Sequence, residues 1–225
     1  MKSKRWMFRP VAIFLFMSGC ASFKPQLQQQ DFMSARQPSA SEVKDGLSTS
    51  VEEFATPNKS RMAFDADIAR DGVLALLVRV ENKGDQNYRI QPNDITAFLG
   101  DQQLSALPGD KAASKAATSE YVGKALAWTL ATGPFAIVLW PGTIAGSASH
   151  TAYINRRIKR HFQSLEFKEA VVKPNETATG FMYFDIPEKS KRLENLAVQV
   201  DALTDEGGKI SYKLSVPPVD LSQEN

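Results

Sequence analysis

A single cysteine, Cys20, sets the terms on which this chain can fold. Ahead of it lie a basic stretch with Lys2, Lys4, Arg5 and Arg9, an unbroken apolar run over residues 11–17, and the small residues Ser18 and Gly19. Seven apolar residues are too few for a spanning helix, which needs about twenty, so residues 1–19 read as a secretory leader cut just before Cys20. An exported chain without a second thiol has no internal disulfide. Packing and backbone hydrogen bonding alone must hold it. The cut also changes the charge: of 27 Lys and Arg, four lie in the leader, while all 25 Asp and Glu lie beyond it. The remainder is close to −2, which removes the electrostatic case for nucleic acid as a partner.

The four residues Met17, Ser18, Gly19 and Cys20 resemble the lipobox of bacterial lipoproteins, with Met17 where leucine is usual. The resemblance implies that Cys20 is acylated through its thiol and becomes the new N-terminus, anchoring the chain to a membrane. The alternative is an ordinary cleaved leader or an uncleaved anchor with Cys20 free or buried. Such lipoproteins tend to stay in the inner membrane when aspartate follows the cysteine; here Ala21 follows, which implies the outer membrane, facing the periplasm. Beyond Cys20, residues 20–46 are polar and small, rich in glutamine and serine, and predict a flexible tether. Its ends would lie roughly 25–30 Å apart.

After this stretch the pattern changes to short β-rich runs. Residues 47–54 and 62–68 alternate, and residues 73–80 form the strongest strand candidate, apolar almost throughout and so predicted to be covered on both faces. A turn over 82–85 follows, with Gly84 suited to positive φ, then short strands over 88–90, 95–99 and 103–107. The pattern resumes over 165–172 and 178–186, and ends in a hairpin of 196–203 with 209–216 around Asp205, Glu206, Gly207 and Gly208. These runs predict a mainly β fold, an antiparallel sandwich made of residues 47–109 and 165–217, with a polar tail over 218–225. Residues 76–85, 172–174 and 180–184 resemble the small Ig-like modules of secreted bacterial proteins.

Between the two halves, residues 125–155 contain no Lys, Arg, Asp or Glu. Gly133-Pro134 and Pro141-Gly142 cut the run into pieces too short to span hydrocarbon. Residues 110–164 therefore read as an inserted apolar helical hairpin, with arms over about 112–130, Asp110 as candidate N-cap, and about 143–163. Ile154, Ile158 and Phe162 recur every four residues as an apolar stripe, with Arg156, Arg157, Lys159 and Arg160 at other angles. Three readings follow. The apolar side packs on the sandwich and the cations are solvated. Alternatively, a tip with Trp128, Phe135, Leu139 and Trp140 enters a membrane interface while the cations meet anionic headgroups. In the third, the small-residue face with Gly142 and Gly146 mediates self-association or docking to an envelope protein.

No catalytic or cofactor motif emerges: no nucleophile elbow, phosphate-binding loop or zinc-binding helix. His150 and His161 would be about 16 Å apart on one helix, too far to share a metal. Asp65, Asp67 and Asp71 lack the spacing of a calcium loop and read as a solvated acidic edge. The expectation is a non-enzymatic binding or assembly module with no cofactor and no metal, tethered to the envelope. The alternatives are a protein acting on the membrane or on itself through residues 125–149, and an enzyme whose site is assembled from distant loops.

Overall fold

The computed structural model describes residues 23–27, 29–33, 37–116, 141–187 and 190–222, with only the backbone of residues 29, 33 and 141–152. Its elements run α1 (Gln29–Met33), β1 (Ala40–Lys44), β2 (Leu47–Glu53), α2 (Pro57–Phe64), β3 (Val73–Asn82), β4 (Tyr88–Ile90), β5 (Ile95–Leu99), β6 (Gln102–Gln103), β7 (Ala106–Leu107) and α3 (Gly109–Ala116). Then follow α4 (Pro141–Leu165), β8 (Ala170–Val172), β9 (Thr177–Asp185), β10 (Arg192–Leu193), β11 (Leu196–Thr204), β12 (Lys209–Val216) and β13 (Val219–Asp220). The fold is mainly β and its named strand pairs are antiparallel.

One sheet has the order β1-β2-β3-β9-β7; in the other, β11 pairs with β12 on one side and with β5 and β4 on the other. The sheets face each other across a core that includes Leu74, Leu76, Val78, Phe184, Val198, Val200 and Leu214. On its outer face the first sheet presents the alternate residues Val73, Ala75, Leu77, Phe181 and Tyr183 to a second core shared with Phe64, Ala112, Ile158 and Phe162 of the helices. Three layers result: helices, central sheet, outer sheet. The period-two alternation of strand side chains places β3 between both cores, which is why its sequence is apolar at nearly every position.

Most predicted strands fall where the pattern puts them, and 88–90, 95–99 and 209–216 match to the residue. Residues 62–68 differ. They contribute to α2, which opens with Thr56 at the N-cap position and Pro57 at its first position, and which buries Ser60, Ala63 and Phe64 at helical spacing. Of the expected strand over 165–172 only residues 170–172 form β8; Leu165 ends α4, and Glu166 makes an isolated parallel bridge to Phe181. The expected tail is pinned by β13 and by buried Val219 and Leu221. The described parts of the expected tether, residues 23–27, 29–33 and 37–46, are packed as well: Phe23 and Phe32 are buried in the helical core, and β1 pairs with β2.

Close backbone approaches fix the ends of the sandwich. Gly46 sits at φ +78°, and a Cβ there would stand 2.6 Å from Gly84 Cα. Glycine is therefore required at 46 for conformation, whereas Gly84, expected to use positive φ, is needed for room. Beside them buried Asn82 donates to the Gln86 and Val172 carbonyls at 2.6 and 3.0 Å and accepts from the Gly84 amide at 2.9 Å. Tyr212 donates to Leu47 O at 3.0 Å, and burial pushes its hydroxyl up to about 12.

Candidate functional site

Between β7 and β8 the chain leaves the sandwich for its helical layer. α3 begins at Gly109, whose amide donates to Glu166 Oε1 at 3.0 Å, so a distant carboxylate caps the helix dipole and Asp110 sits in the first turn instead of at the cap. α3 lies close against α4: a Cβ on Gly109 would come within 3.2 Å of the Gln163 and Phe162 backbone. The joining residues, and with them Trp128, Phe135, Leu139 and Trp140, lie outside the described residues. Cys20 does too. Gly142 and Gly146 fall in the first turns of α4, within the segment whose surroundings are not described.

The second half of α4 is described in full. Ile158 and Phe162 are buried against the central sheet and Ile154 is partly buried with them, as their spacing predicts. Phe162 packs on Phe64 and Tyr183 with ring centroids 4.8 and 5.3 Å apart. Tyr183 is buried, its hydroxyl donates to Phe162 O at 3.1 Å, and burial holds it protonated well above its ordinary range. Arg156, Arg157, Lys159 and Arg160 are exposed. The structure divides them. Arg157 and Arg160 line one side of a cavity of about 560 Å³ together with Phe23, Lys24, Pro25, His161 and Ser164. Lys159 lines a smaller space against α3 with Ala113 and Ile158.

The N-terminal segment forms the other wall of that cavity. The amides of Gln26 and Leu27 both donate to Met62 O at 2.9 Å, the Lys24 amide donates to Asp65 Oδ2 at 3.0 Å, and the Phe23 ring meets His161 edge-on at 5.2 Å. Sequence reasoning missed this wall because residues 20–46 lack any apolar period. The one signal was the pair Phe23 and Phe32 in a polar stretch. Asp65 adopts a left-handed conformation at the C-terminus of α2, and Asp67 and Asp71 are buried in the loop to β3, so the three do not form the solvated edge that their charge suggested. Among the described residues no three His, Cys, Asp or Glu side chains converge as a metal site, and no helix is long and apolar enough to cross a membrane.

His161 Nε2–H donates to Ala63 O at 2.8 Å. Burial lowers the pKa of its imidazole below the ordinary 6.5, against the smaller opposing effect of that hydrogen bond. The folded chain thus resists a proton that the unfolded chain accepts near 6.5, so this group's contribution to stability is complete above 6.5 and declines as pH falls toward the lower folded value. Denaturant midpoints are expected to fall between about pH 7 and about pH 5, with a shallower fall in His161→Gln.

A second cavity, of about 550 Å³, opens at one end of the sandwich between Pro38, Glu53, Lys59, Arg192, Pro218 and Asp220. Its charges are largely internal pairs: Lys59 Nζ stands 2.9 Å from Glu53 and 3.4 Å from Glu52. The cavity at α4 is lined by cations without a carboxylate.

No family model matches the chain, and no curated protein shows significant sequence similarity to it. Among solved structures it is similar to a candidate lipoprotein, ycdA, from Bacillus subtilis, at 12% identity and a TM-score of 0.39, covering 84% of this chain and 40% of that one. This chain thus spans well under half the length of that protein. It is also similar to a candidate ApaA protein from Bordetella pertussis, at 12% identity and a TM-score of 0.34, covering 80% of this chain and 94% of that one. Likeness at this level transfers neither fold nor function.

Proposed function

We propose that the chain is a lipid-anchored envelope protein, acylated at Cys20 and held at the periplasmic face of the outer membrane, acting there as a non-enzymatic binding or assembly module. The observation that carries this reading is the burial of Phe23 in the helical core, three residues beyond the cysteine of the lipobox-like sequence. A chain reaches at most about 3.6 Å per residue, so an acylated Cys20 brings the helical layer to within roughly 10 Å of the bilayer. Two or more acyl chains hold a protein almost permanently, at about 0.8 kcal/mol per buried methylene. The helices then face the membrane, and the outer sheet and the end cleft face the periplasm and a partner.

The finer architectural reading, an Ig-like sandwich, is supported by strand order. β2-β3-β9-β7 opposite β5-β11-β12 follows the ABED and CFG arrangement of that fold. Modules of this kind present loops and sheet faces for recognition, which suits a binding role. Cys20→Ala is expected to abolish acylation and to move the protein out of the membrane fraction, as a soluble or unprocessed form. Fractionation that finds it fully processed and still bilayer-bound would contradict the proposal.

A further inference from the structure

The four cations of α4 are not one surface. Arg157, Arg160 and Ser164 fall on a single stripe of the helix, at spacings of three and four residues that make side chains neighbours, and this stripe faces the N-terminal segment. Lys159 lines the space against α3 instead, and Arg156 is not among the residues that line this cavity. The Arg157 guanidinium lies over the Tyr153 ring, 5.9 Å from its centroid, a cation–π contact that does not use its N–H groups as conventional hydrogen-bond donors. Two candidate donors in the cavity are already committed. His161 Nε2–H is bonded to Ala63 O, and Ser164 Oγ–H to the His161 carbonyl at 2.8 Å. The remaining charged donors are Arg157, Arg160 and the ammonium of Lys24. Asp65, at the C-terminus of α2, accepts from the Lys24 amide.

We infer that this cavity is a binding site for the phosphate of an anionic lipid headgroup, with Arg157 and Arg160 gripping the phosphate oxygens from α4 and Lys24 closing on them from the opposite wall. Guanidinium pairs match the geometry of a phosphate and bind it through charge-assisted hydrogen bonds. The volume, about 560 Å³, is in the range of small-ligand sites and admits a glycerophosphate group. The source of the ligand rests on the lipid-anchor reading: Lys24 follows Cys20 by four residues, so the anchor that holds the protein also presents its cavity to the headgroup layer. The site makes the protein selective for anionic bilayer regions, which acyl chains alone do not distinguish.

The test is native mass spectrometry of the full protein, isolated from membranes and released from detergent micelles that hold equimolar phosphatidylglycerol and phosphatidylcholine. A single retained phosphatidylglycerol is expected, favoured about tenfold over phosphatidylcholine, and lost about tenfold in Arg157→Gln/Arg160→Gln but within about twofold of the parent in Arg156→Gln/Lys159→Gln. Equal retention of the two lipids overturns the inference, as does equal loss in both double variants, which marks a diffuse basic field. Displacement by inorganic phosphate at matched concentration overturns the lipid assignment. The same spectrum reports the mass of the protein itself: a bare Cys20 with phosphatidylglycerol still bound removes the anchor and leaves the site.

Discussion

Replacing Phe181 with alanine is expected to cost about 3–5 kcal/mol and to lower Tm by on the order of 10 °C. The side chain is wholly buried at the centre of the helical core, and four rings meet it: Phe32 at 4.9 Å, Phe54 at 5.0 Å, Phe64 at 5.2 Å and Tyr183 at 6.2 Å between centroids. These rings come from α1, the end of β2, α2 and β9, so one truncation opens a cavity at the junction of the N-terminal segment, the helices and the central sheet. The surrounding rings are held by their own backbones and do not collapse into the space. Removing the ring also unseats Phe32, which makes faster amide exchange over residues 29–33 a second expected readout. Val43 provides the contrast: it is 67% exposed, and Val43→Ser is expected to stay within about 0.5 kcal/mol of the parent in urea unfolding.

Gly180→Ala is expected to destabilise by about 3 kcal/mol, the upper end of overpacking effects, although it adds one methyl group. A Cβ at 180 would stand 2.4 Å from Phe167 Cα and 2.7 Å from Phe167 N. Both are backbone atoms, and they are fixed by the Phe167 amide, which donates to Phe181 O at 2.8 Å, and by the parallel bridge between Glu166 and Phe181. The chain leaving α4 runs directly over β9 at this point. A methyl group must push it off the sheet, carrying Phe167 out of the sandwich core. Urea unfolding measures the effect, and a variant as stable as the parent would show that the crossing is loose.

How far the sequence led depended on whether a structural signal was periodic. β3 was legible because a strand between two cores must be apolar at consecutive positions, and the hairpin of β11 and β12 because alternation and a glycine turn coincide there. The stripe of Ile154, Ile158 and Phe162 was legible for the same reason. α2 was not: Met62, Phe64, Ala66 and Ile68 alternate like a strand, while the stronger evidence, Thr56-Pro57 as a helix start, lay ahead of the run. Single anchors escaped altogether. Phe23 and Phe32 stand nine residues apart in a polar stretch, and Val219 and Leu221 follow two prolines, so composition averages them away. The cavity at α4 escaped with them, since Lys24 faces Arg157 and Arg160 only because Phe23 docks beside His161. The four cations were legible as a basic face; their division into a stripe that lines the cavity and a pair that does not required the packing.

The central claim is that the anchor holds the helical layer against the bilayer and turns the outer sheet away from it. Acylation blocks the native thiol, so a fluorophore can be attached at a single introduced cysteine, Tyr153→Cys on α4 or Lys213→Cys on the exposed face of β12, in protein reconstituted into vesicles carrying a quencher on their lipids. The layers of such a sandwich stack about 10 Å apart, which separates the two positions by well over the range of contact quenching. Strong quenching at 153 with little at 213 is the predicted result; equal quenching at the two positions, or more at 213, would contradict the account.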